Sequence, residues 1–144
     1  MATELEIFRK FLKEKQLKVT PEREAILRLV FGTHEHFDAE ELLLDARGTG
    51  QRVSKATIYR TLELLVESGL LIKHIFDGRH ARYEHIYGHK SHEHMFCIVC
   101  HRIFEFTAPE LDRIQNEVAS RFEFKPLERS LQISGYCSRC VPLE

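Results

Sequence analysis

Residues 89–100, HKSHEHMFCIVC, hold three histidines, a glutamate and two cysteines, and a second cysteine pair, CSRC, follows at 137–140. Each CxxC spacing spans a short turn, which lets both sulfurs bind one cation, and Zn²⁺ accepts a closed tetrahedron of four thiolates. The alternative interpretation is two unrelated pairs of buried thiols or a redox pair. The spacing favours a structural zinc site made of Cys97, Cys100, Cys137 and Cys140.

The histidines of the same stretch are left for a different set of ligands. His92 and His94 are two residues apart, so in an extended segment their side chains lie on the same side and can bind one ion together. Imidazole and carboxylate ligands suit Fe²⁺, Mn²⁺, Co²⁺, Ni²⁺ or Zn²⁺. The candidate partners are His36, Glu84 and Glu105, and an ion bound by all five would join the two halves of the chain. The alternative interpretation is a solvated, histidine-rich loop.

Composition and charge limit the class of protein. The chain has 144 residues, 43% of them hydrophobic, and a formal net charge of −1. No apolar run reaches the roughly 18 residues of a membrane span, and the charged N-terminus does not resemble a secretory signal. We therefore expect a cytoplasmic protein with no membrane partner, in a compartment where reduced thiols favour metal binding over disulfides.

The near-neutral net charge counts mildly against nucleic-acid binding, because phosphate contacts usually leave a basic footprint. The charge is nevertheless unevenly distributed. Residues 46–62 carry four cations and no acid, namely Arg47, Arg52, Lys55 and Arg60. This local excess predicts a surface that is able to contact phosphate.

Apolar periodicity and capping signals predict four helices in the first half of the chain. They cover residues 4–15, 20–31, 38–47 and 54–69, and Thr20, Asp38 and Ser54 are the expected caps of the last three. The residues expected to be buried are Ile26, Leu27 and Val30 in the second helix and Ile58, Leu62 and Leu65 in the fourth. Two short strands around Asp77-Gly78 follow, which is a hairpin signal. Helices followed by a two-stranded wing predict a winged helix-turn-helix, with the fourth helix as the recognition helix.

The second half is expected to be a small unit joined to the first by a hinge. Strands are predicted at 94–100, 102–106 and 127–133, and a helix from Thr107 has an apolar stripe at Leu111, Ile114, Val118 and Phe122. About 50 residues rarely fold by core burial alone, so this unit needs a metal or a partner subunit. The expected fold class is α+β, with an N-terminal winged helix-turn-helix domain (1–85), a hinge carrying metal ligands (86–94) and a small C-terminal α/β dimerisation domain (95–144).

Taken together, four motifs resemble the ferric uptake regulator (Fur) family over nearly the whole chain. They are TPEREAIL at 20–27, HFDAEEL at 36–42, SKATIYRTLELLVESGLL at 54–71, and HEHMFCIVC with CSRC. The resemblance implies a homodimer, or a higher oligomer, that represses transcription by binding a double-stranded DNA operator. It also implies structural Zn²⁺ on the four cysteines and a regulatory metal on His36, Glu84, His92, His94 and Glu105.

The resemblance implies Fe²⁺ as the regulatory metal, with Mn²⁺ or Zn²⁺ sensing and peroxide sensing as alternatives within the family. The linker is a residue or two longer than in similar proteins, so His85 or His89 is an alternative to Glu84. The peroxide-sensing branch typically has Asp where this chain has Glu105, which favours metal sensing. Some members have a third site with a histidine where Arg129 stands, so a salt bridge from Arg129 to Glu93 and Asp112 is expected instead of a third metal.

The DNA contacts are expected from the fourth helix and from the start of the second. Tyr59 is expected to touch thymine methyl groups and Arg60 to reach phosphate or base, whereas Lys18 and Arg23 reach the backbone or minor groove. The full set is Lys18, Arg23, Lys55, Thr57, Tyr59 and Arg60.

Two rival functions are a zinc hydrolase and a metal-storage or trafficking protein. The hydrolase lacks an obvious base beside an open metal position, and storage leaves the acid-free helix unexplained. We therefore expect a regulator without enzymatic activity.

Overall fold

The computed structural model describes residues 2–33, 36–76, 80–85, 92–127 and 129–142. The chain divides into two compact units, Met1–His89 and Lys90–Glu144. Most of the predicted hinge lies outside the described residues, and its last two residues, Glu93 and His94, belong to a strand of the second unit. The first unit is a winged helix-turn-helix and the second is a small α/β unit, so the predicted α+β class is confirmed.

Four helices form the body of the first unit: α1 (Glu4–Glu14), α2 (Pro21–Phe31), α3 (Ala39–Gly48) and α4 (Lys55–Glu67). The predicted caps are present, because side-chain oxygens of Thr20, Asp38 and Ser54 each accept a hydrogen bond from the backbone N–H three residues on. Such a cap stabilises a helix by about 1 kcal/mol. The helix starts are thus determined by local sequence.

The core of the first unit is built from the apolar stripes of these helices. Ile26, Leu27 and Val30 of α2 are buried, as predicted. Ile58, Leu62 and Leu65 of α4 are also buried, which confirms the predicted inward face of that helix. Because one face of α4 is committed to the core, its other face is left for solvent or a ligand.

A two-stranded wing follows, with β1 (Leu71–Ile75) antiparallel to β2 (Ala81–His85). The predicted Asp77-Gly78 turn lies outside the described residues. Phe37 and Tyr83 exchange two backbone hydrogen bonds of 3.1 and 2.7 Å, which attach the segment before α3 to the edge of the wing. This bridge brings the backbone of residue 36 beside β2.

The second unit has β3 (Glu93–Cys97), β4 (Ile103–Phe106), α5 (Pro109–Arg121) and β5 (Gln132–Gly135). The sheet order is β4-β3-β5, with β3 antiparallel to β4 and parallel to β5. The predicted strand at 127–133 is wrong in its bounds, since the strand begins only at Gln132 and Leu127 is 91% exposed. Within the described residues, no helix has both the length and the apolar character to cross a membrane.

The predicted apolar stripe of α5 is also largely exposed. Ile114, Val118 and Phe122 are 48%, 42% and 76% exposed, and Ala119 is the buried residue of this helix. Periodicity therefore located the helix and its apolar face, whereas the exposure of that face depends on the surfaces around it. A unit this small does not supply enough surface to cover both its sheet and its helix.

Candidate metal centres and nucleic-acid interface

The four cysteines converge in the second unit. Their sulfur atoms all lie within 4.8 Å of one another, and Cys100 Sγ is 3.8 Å from Cys137 Sγ. Two sulfurs of a tetrahedral zinc site with bonds of about 2.3 Å lie about 3.8 Å apart, so this spacing fits Zn²⁺. The structure thus brings together all four residues that the CxxC spacing singled out.

Strand pairing and two tight turns position these sulfurs. Cys97 ends β3, where its register partner on β5 is Gly135, two residues before Cys137. Each CxxC closes into a turn, with backbone hydrogen bonds of 2.9 Å from His101 to Cys97 and from Cys140 to Cys137. The parallel β3–β5 pairing therefore joins the two turns, although 36 residues separate the pairs along the chain.

The pKa values of Cys97 and Cys140 are shifted in opposite directions. Backbone N–H groups of Cys100 and Cys137 lower the pKa of the Cys97 thiol to about 6. Hydrogen bonding to the Cys137 side chain raises the pKa of the Cys140 thiol to about 12. Several thiolates this close repel one another, so a cation among them is required before all four ionise near neutral pH.

In the first unit, Glu84 lies between two histidines. His36 Nε2 is 2.7 Å from Glu84 Oε2, and His74 Nε2 is 2.9 Å from Glu84 Oε1. Glu84 and His74 are each 7% exposed. Two ligands of one ion with bonds of about 2.1 Å lie about 3 Å apart when they are adjacent, so the spacing of His36 and Glu84 fits a shared divalent metal.

His85, the predicted alternative to Glu84, has different surroundings. Its ring lies 5.0 Å from the ring of Phe31, with a 46° tilt between the ring planes. Side chains of adjacent strand residues point to opposite faces, which separates His85 from Glu84. The other alternative, His89, lies outside the described residues.

In the second unit, His92, His94 and Glu105 lie close together. The rings of His92 and His94 lie 4.8 Å apart, and His92 Nε2 is 3.6 Å from Glu105 Oε1. His94 on β3 is the register partner of Glu105 on β4, so the antiparallel pairing brings these side chains together. Two imidazoles and one carboxylate are a ligand set that suits Fe²⁺, Mn²⁺ and Zn²⁺.

Arg129 occupies a cluster of oxygen acceptors in the second unit. Its guanidinium donates to Glu93 Oε1 at 2.6 and 3.0 Å, to Asp112 Oδ1 at 2.9 Å and to Gln115 Oε1 at 2.9 Å. The other carboxylate oxygen of Glu93 accepts the backbone N–H of Leu131 at 3.1 Å. The predicted salt bridge from Arg129 to Glu93 and Asp112 is confirmed, and Gln115 is an additional partner.

The predicted DNA-contacting residues lie in the first unit, on α4 and around the start of α2. Lys55, Tyr59 and Arg60 are exposed on α4, whereas Thr57 is partly buried. Arg23, the predicted α2 contact, donates from Nη1 to the backbone oxygen of Lys18 at 2.5 Å.

Residues 46–62 contain no acid, but one of their cations pairs with an acidic residue of another helix. Lys55 Nζ pairs with Glu40 Oε1 of α3 at 2.7 Å, and this contact lowers the pKa of Glu40. Arg60 is a second exposed cation of α4.

Sequence reasoning missed His74. Its register partner on β2 is Arg82, while Glu84 pairs with Ile72, so His74 and Glu84 are diagonal neighbours on the two strands. Diagonal residues on one face of a hairpin are close enough for long side chains to touch. The register of the predicted hairpin was the signal that could have identified this contact.

This chain is similar to known proteins over most of its length. Residues 14–134 match the Ferric uptake regulator family. The chain is 35% identical over 138 residues to the ferric uptake regulation protein of Campylobacter upsaliensis, covering 94% of this chain and 88% of that protein.

Two solved structures are similar throughout. The Helicobacter pylori regulator Fur, described as having three functional metal-binding sites, has a TM-score of 0.84 at 25% identity, covering 99% of this chain and 97% of that one. The iron-containing Francisella tularensis regulator has a TM-score of 0.76 at 27% identity, covering 86% and 94%. This chain therefore belongs to the ferric uptake regulator family of metal-responsive, DNA-binding transcription regulators.

Proposed function

We propose that this protein is a cytoplasmic homodimeric repressor that binds operator DNA when its regulatory site holds Fe²⁺. The regulatory ligands are His36, Glu84, His92, His94 and Glu105, and the structural Zn²⁺ ligands are the four cysteines. The observation that carries the proposal is the grouping of these ligands within each unit, with His36 beside Glu84 at 2.7 Å and His92 beside Glu105 at 3.6 Å. The protein has no enzymatic role in this proposal.

The negative charges of the proposed ligands explain why a bound cation changes the protein. Glu84 is 7% exposed and His94 is 4% exposed, so these ligands are largely removed from water. A bound divalent cation supplies positive charge that offsets the carboxylates of Glu84 and Glu105. Because the ligands come from both units, occupying the site selects one arrangement of the DNA-binding unit relative to the dimerisation unit.

The proposed DNA interface uses the exposed face of α4. Arg60 and Lys55 reach phosphate groups or base edges of the DNA. Thr57 and Tyr59 supply polar and apolar contacts. Lys18 and Arg23 contact the DNA backbone beside them. Two recognition helices of a dimer enter successive major grooves only if their spacing matches the DNA repeat of about 34 Å. Metal binding thus controls affinity through geometry rather than through direct contact with DNA.

The exposed apolar surface of the second unit supports the homodimer. Ile114, Val118 and Phe122 of α5 expose much of their side chains, and so do Met95 and Ile133 on the sheet. The strand β5 is at an edge of its sheet within the described residues. An edge strand beside an apolar face is typical of a surface that a second copy covers.

Fe²⁺ is the proposed metal because the family and the iron-containing relative point to it, and Mn²⁺ or Zn²⁺ is the alternative. The ligand types suit all three ions, since geometry and availability rather than ligand chemistry separate them. Glu105, in place of the aspartate of the peroxide-sensing branch, supports metal sensing.

A gel-shift titration with Fe²⁺, Mn²⁺ or Zn²⁺ and with a chelator tests the proposal. The DNA is a duplex selected from a randomised pool by metal-loaded protein, and zinc content is measured after chelation to verify that the cysteine site stays filled. We expect a shifted complex with metal and its loss with chelator. Tight metal binding without any selected duplex would instead favour storage, and metal-dependent hydrolysis of an ester would favour the enzyme.

A further inference from the structure

His74 is not among the proposed metal ligands, but it contacts the proposed ligand Glu84. His74 Nε2 is 2.9 Å from Glu84 Oε1, and both side chains are more than nine-tenths buried. His36 Nε2 is 2.7 Å from the other oxygen, Oε2. The two imidazoles therefore contact different oxygens of one carboxylate.

We propose that His74 is a positioning residue, whose Nε2–H holds Glu84 Oε1 so that Oε2 alone is presented to the regulatory metal. This inference rests on the proposed function. A carboxylate with both oxygens available can bind an ion in a bidentate manner, whereas one oxygen already engaged by an N–H donor leaves a monodentate ligand. Partners behind the ligands of a metal site commonly set their orientation and basicity in this way.

The surroundings of His74 support a fixed ring rather than a mobile one. The ring stacks on Phe76 with centroids 5.2 Å apart and a 24° angle between planes. His74 lies on β1, diagonally across from Glu84 on β2, so backbone hydrogen bonds of the hairpin determine the separation of the two residues. A donor held by the strand pairing orients the carboxylate before any ion arrives, which reduces the entropy lost on binding.

His36 and His74 differ in which oxygen of Glu84 they contact. An ion bound by His36 Nε2 would meet Glu84 on the Oε2 side. His74 contacts the oxygen on the other side of the carboxylate. The His74 N–H affects metal binding through Glu84, so the effect of replacing His74 can be measured with and without the Glu84 carboxylate.

The test compares full-length wild type with His74→Leu and His74→Gln, all with the cysteine site filled by zinc. Leucine removes the donor, whereas the glutamine amide carries N–H groups at a similar reach. Co²⁺ is the probe, since its visible d–d bands report coordination number, and its affinity is measured by absorbance titration and calorimetry. His80→Leu is the control, because His80 is an exposed histidine on the same hairpin.

We expect His74→Leu to weaken Co²⁺ binding by about 10–100-fold and to lower the intensity of the d–d bands as Glu84 becomes bidentate. His74→Gln should keep the wild-type spectrum and most of the affinity, and the control should match wild type. In a Glu84→Gln background, His74→Leu should weaken binding no further, because its effect passes through the carboxylate.

Three results would overturn the role of His74: wild-type affinity and spectrum in His74→Leu, an equally large loss in His74→Gln, or an additive loss in the Glu84→Gln background. The second result would identify His74 as a ligand. If zinc-filled wild type binds no Co²⁺ at all, the regulatory site itself fails, and that outcome is distinct from a failure of His74. Zinc content and the thermal midpoint of each variant verify that it is folded.

Discussion

Cys97 is the residue on which the second unit depends most directly. It ends β3, and its sulfur receives the backbone N–H of Cys137 at 3.5 Å, so it connects the two cysteine turns. When four ligands come from distant parts of a small unit, the free energy of metal binding contributes to the free energy of folding. A change at this position therefore tests structural zinc and the stability of the second unit together.

We expect Cys97→Ser to release about one zinc per chain and to unfold or monomerise the second unit. Metal analysis and sedimentation of the purified variant give the zinc content and the oligomeric state. His101→Asn is the matched control, because His101 is exposed beside the same turn with a φ of 62° that asparagine tolerates. A Cys97→Ser dimer with full zinc content and normal stability would exclude the structural role.

The side-chain length of Glu105 affects how its carboxylate lies beside the histidines. The Glu105 carboxylate is one methylene further from its backbone than that of aspartate, and Glu105 Oε1 lies 3.6 Å from His92 Nε2. Oxidation of a histidine requires an open position on Fe²⁺ beside its ring. We expect Glu105 to crowd that position, so that His36 and His92 survive mild peroxide in the iron-loaded protein.

Mass spectrometry of the peptides that contain His36 and His92 measures this outcome. Glu105→Asp is the matched variant and should gain oxygen on one of the histidines under the same treatment. Rapid, stoichiometric oxidation of the wild type with loss of DNA binding would instead place this protein in the peroxide-sensing branch.

At the scale of elements, α4 is expected to carry DNA recognition. Arg60 is an exposed cation on the solvent face of α4. The Ser54 side chain caps the first turn of α4, which determines where the helix starts. We expect Arg60→Ala to weaken DNA binding and, for a phosphate contact, to reduce the slope of log K against log salt by about one unit.

Fluorescence anisotropy at several salt concentrations gives both quantities. Arg113→Ala is the charge-matched control, because Arg113 is an exposed cation on α5 of the second unit. Unchanged affinity and slope in both Arg60→Ala and Tyr59→Ala would show that another element contacts the DNA.

Arg129 connects two elements of the second unit, because its partners lie on β3 and α5, and it lies itself in the segment before β5. Glu93 is 4% exposed, so removing the guanidinium leaves a buried carboxylate without its cation. We expect Arg129→Met to lower the thermal midpoint of the protein by several degrees. Calorimetry measures this, and an unchanged midpoint would show that Glu93 does not need the pairing.

Arg129→His should replace the internal cation with a metal ligand among the same oxygens. We expect this variant to bind one more divalent ion per chain than wild type, whereas Arg129→Met should not. Metal analysis after equilibrium dialysis gives the count, and an equal count in all three proteins would contradict the account of Arg129.

The local sequence predicted where the helices and strands lie better than it predicted the contacts that they make. The caps at Thr20, Asp38 and Ser54 and the inward face of α4 follow from a few neighbouring residues, and the structure confirms them. The bounds of the strand near the C-terminus were predicted wrongly, because strand pairing depends on which surfaces meet in a small unit. His74 was missed for a similar reason, since its contact with Glu84 requires the register of the hairpin.

At the scale of the whole molecule, the proposed regulation is a coupling between two binding events. The proposed metal ligands come from both units, whereas the proposed DNA contacts lie in the first unit and the exposed apolar surface of α5 lies in the second. Binding metal and binding DNA then favour the same conformation of the dimer, and each ligand raises the affinity for the other by the same factor.

The ratio of DNA dissociation constants without and with Mn²⁺, an air-stable substitute for Fe²⁺, tests this coupling most directly. It is measured by anisotropy on one selected duplex at fixed salt, with the cysteine site filled by zinc throughout. We predict a ratio above about tenfold for wild type, within the usual range of allosteric coupling, and a ratio near one for Glu84→Gln. Arg60→Ala should weaken binding under both conditions and keep the wild-type ratio. A wild-type ratio near one, with DNA bound equally well with and without the metal, would contradict the account.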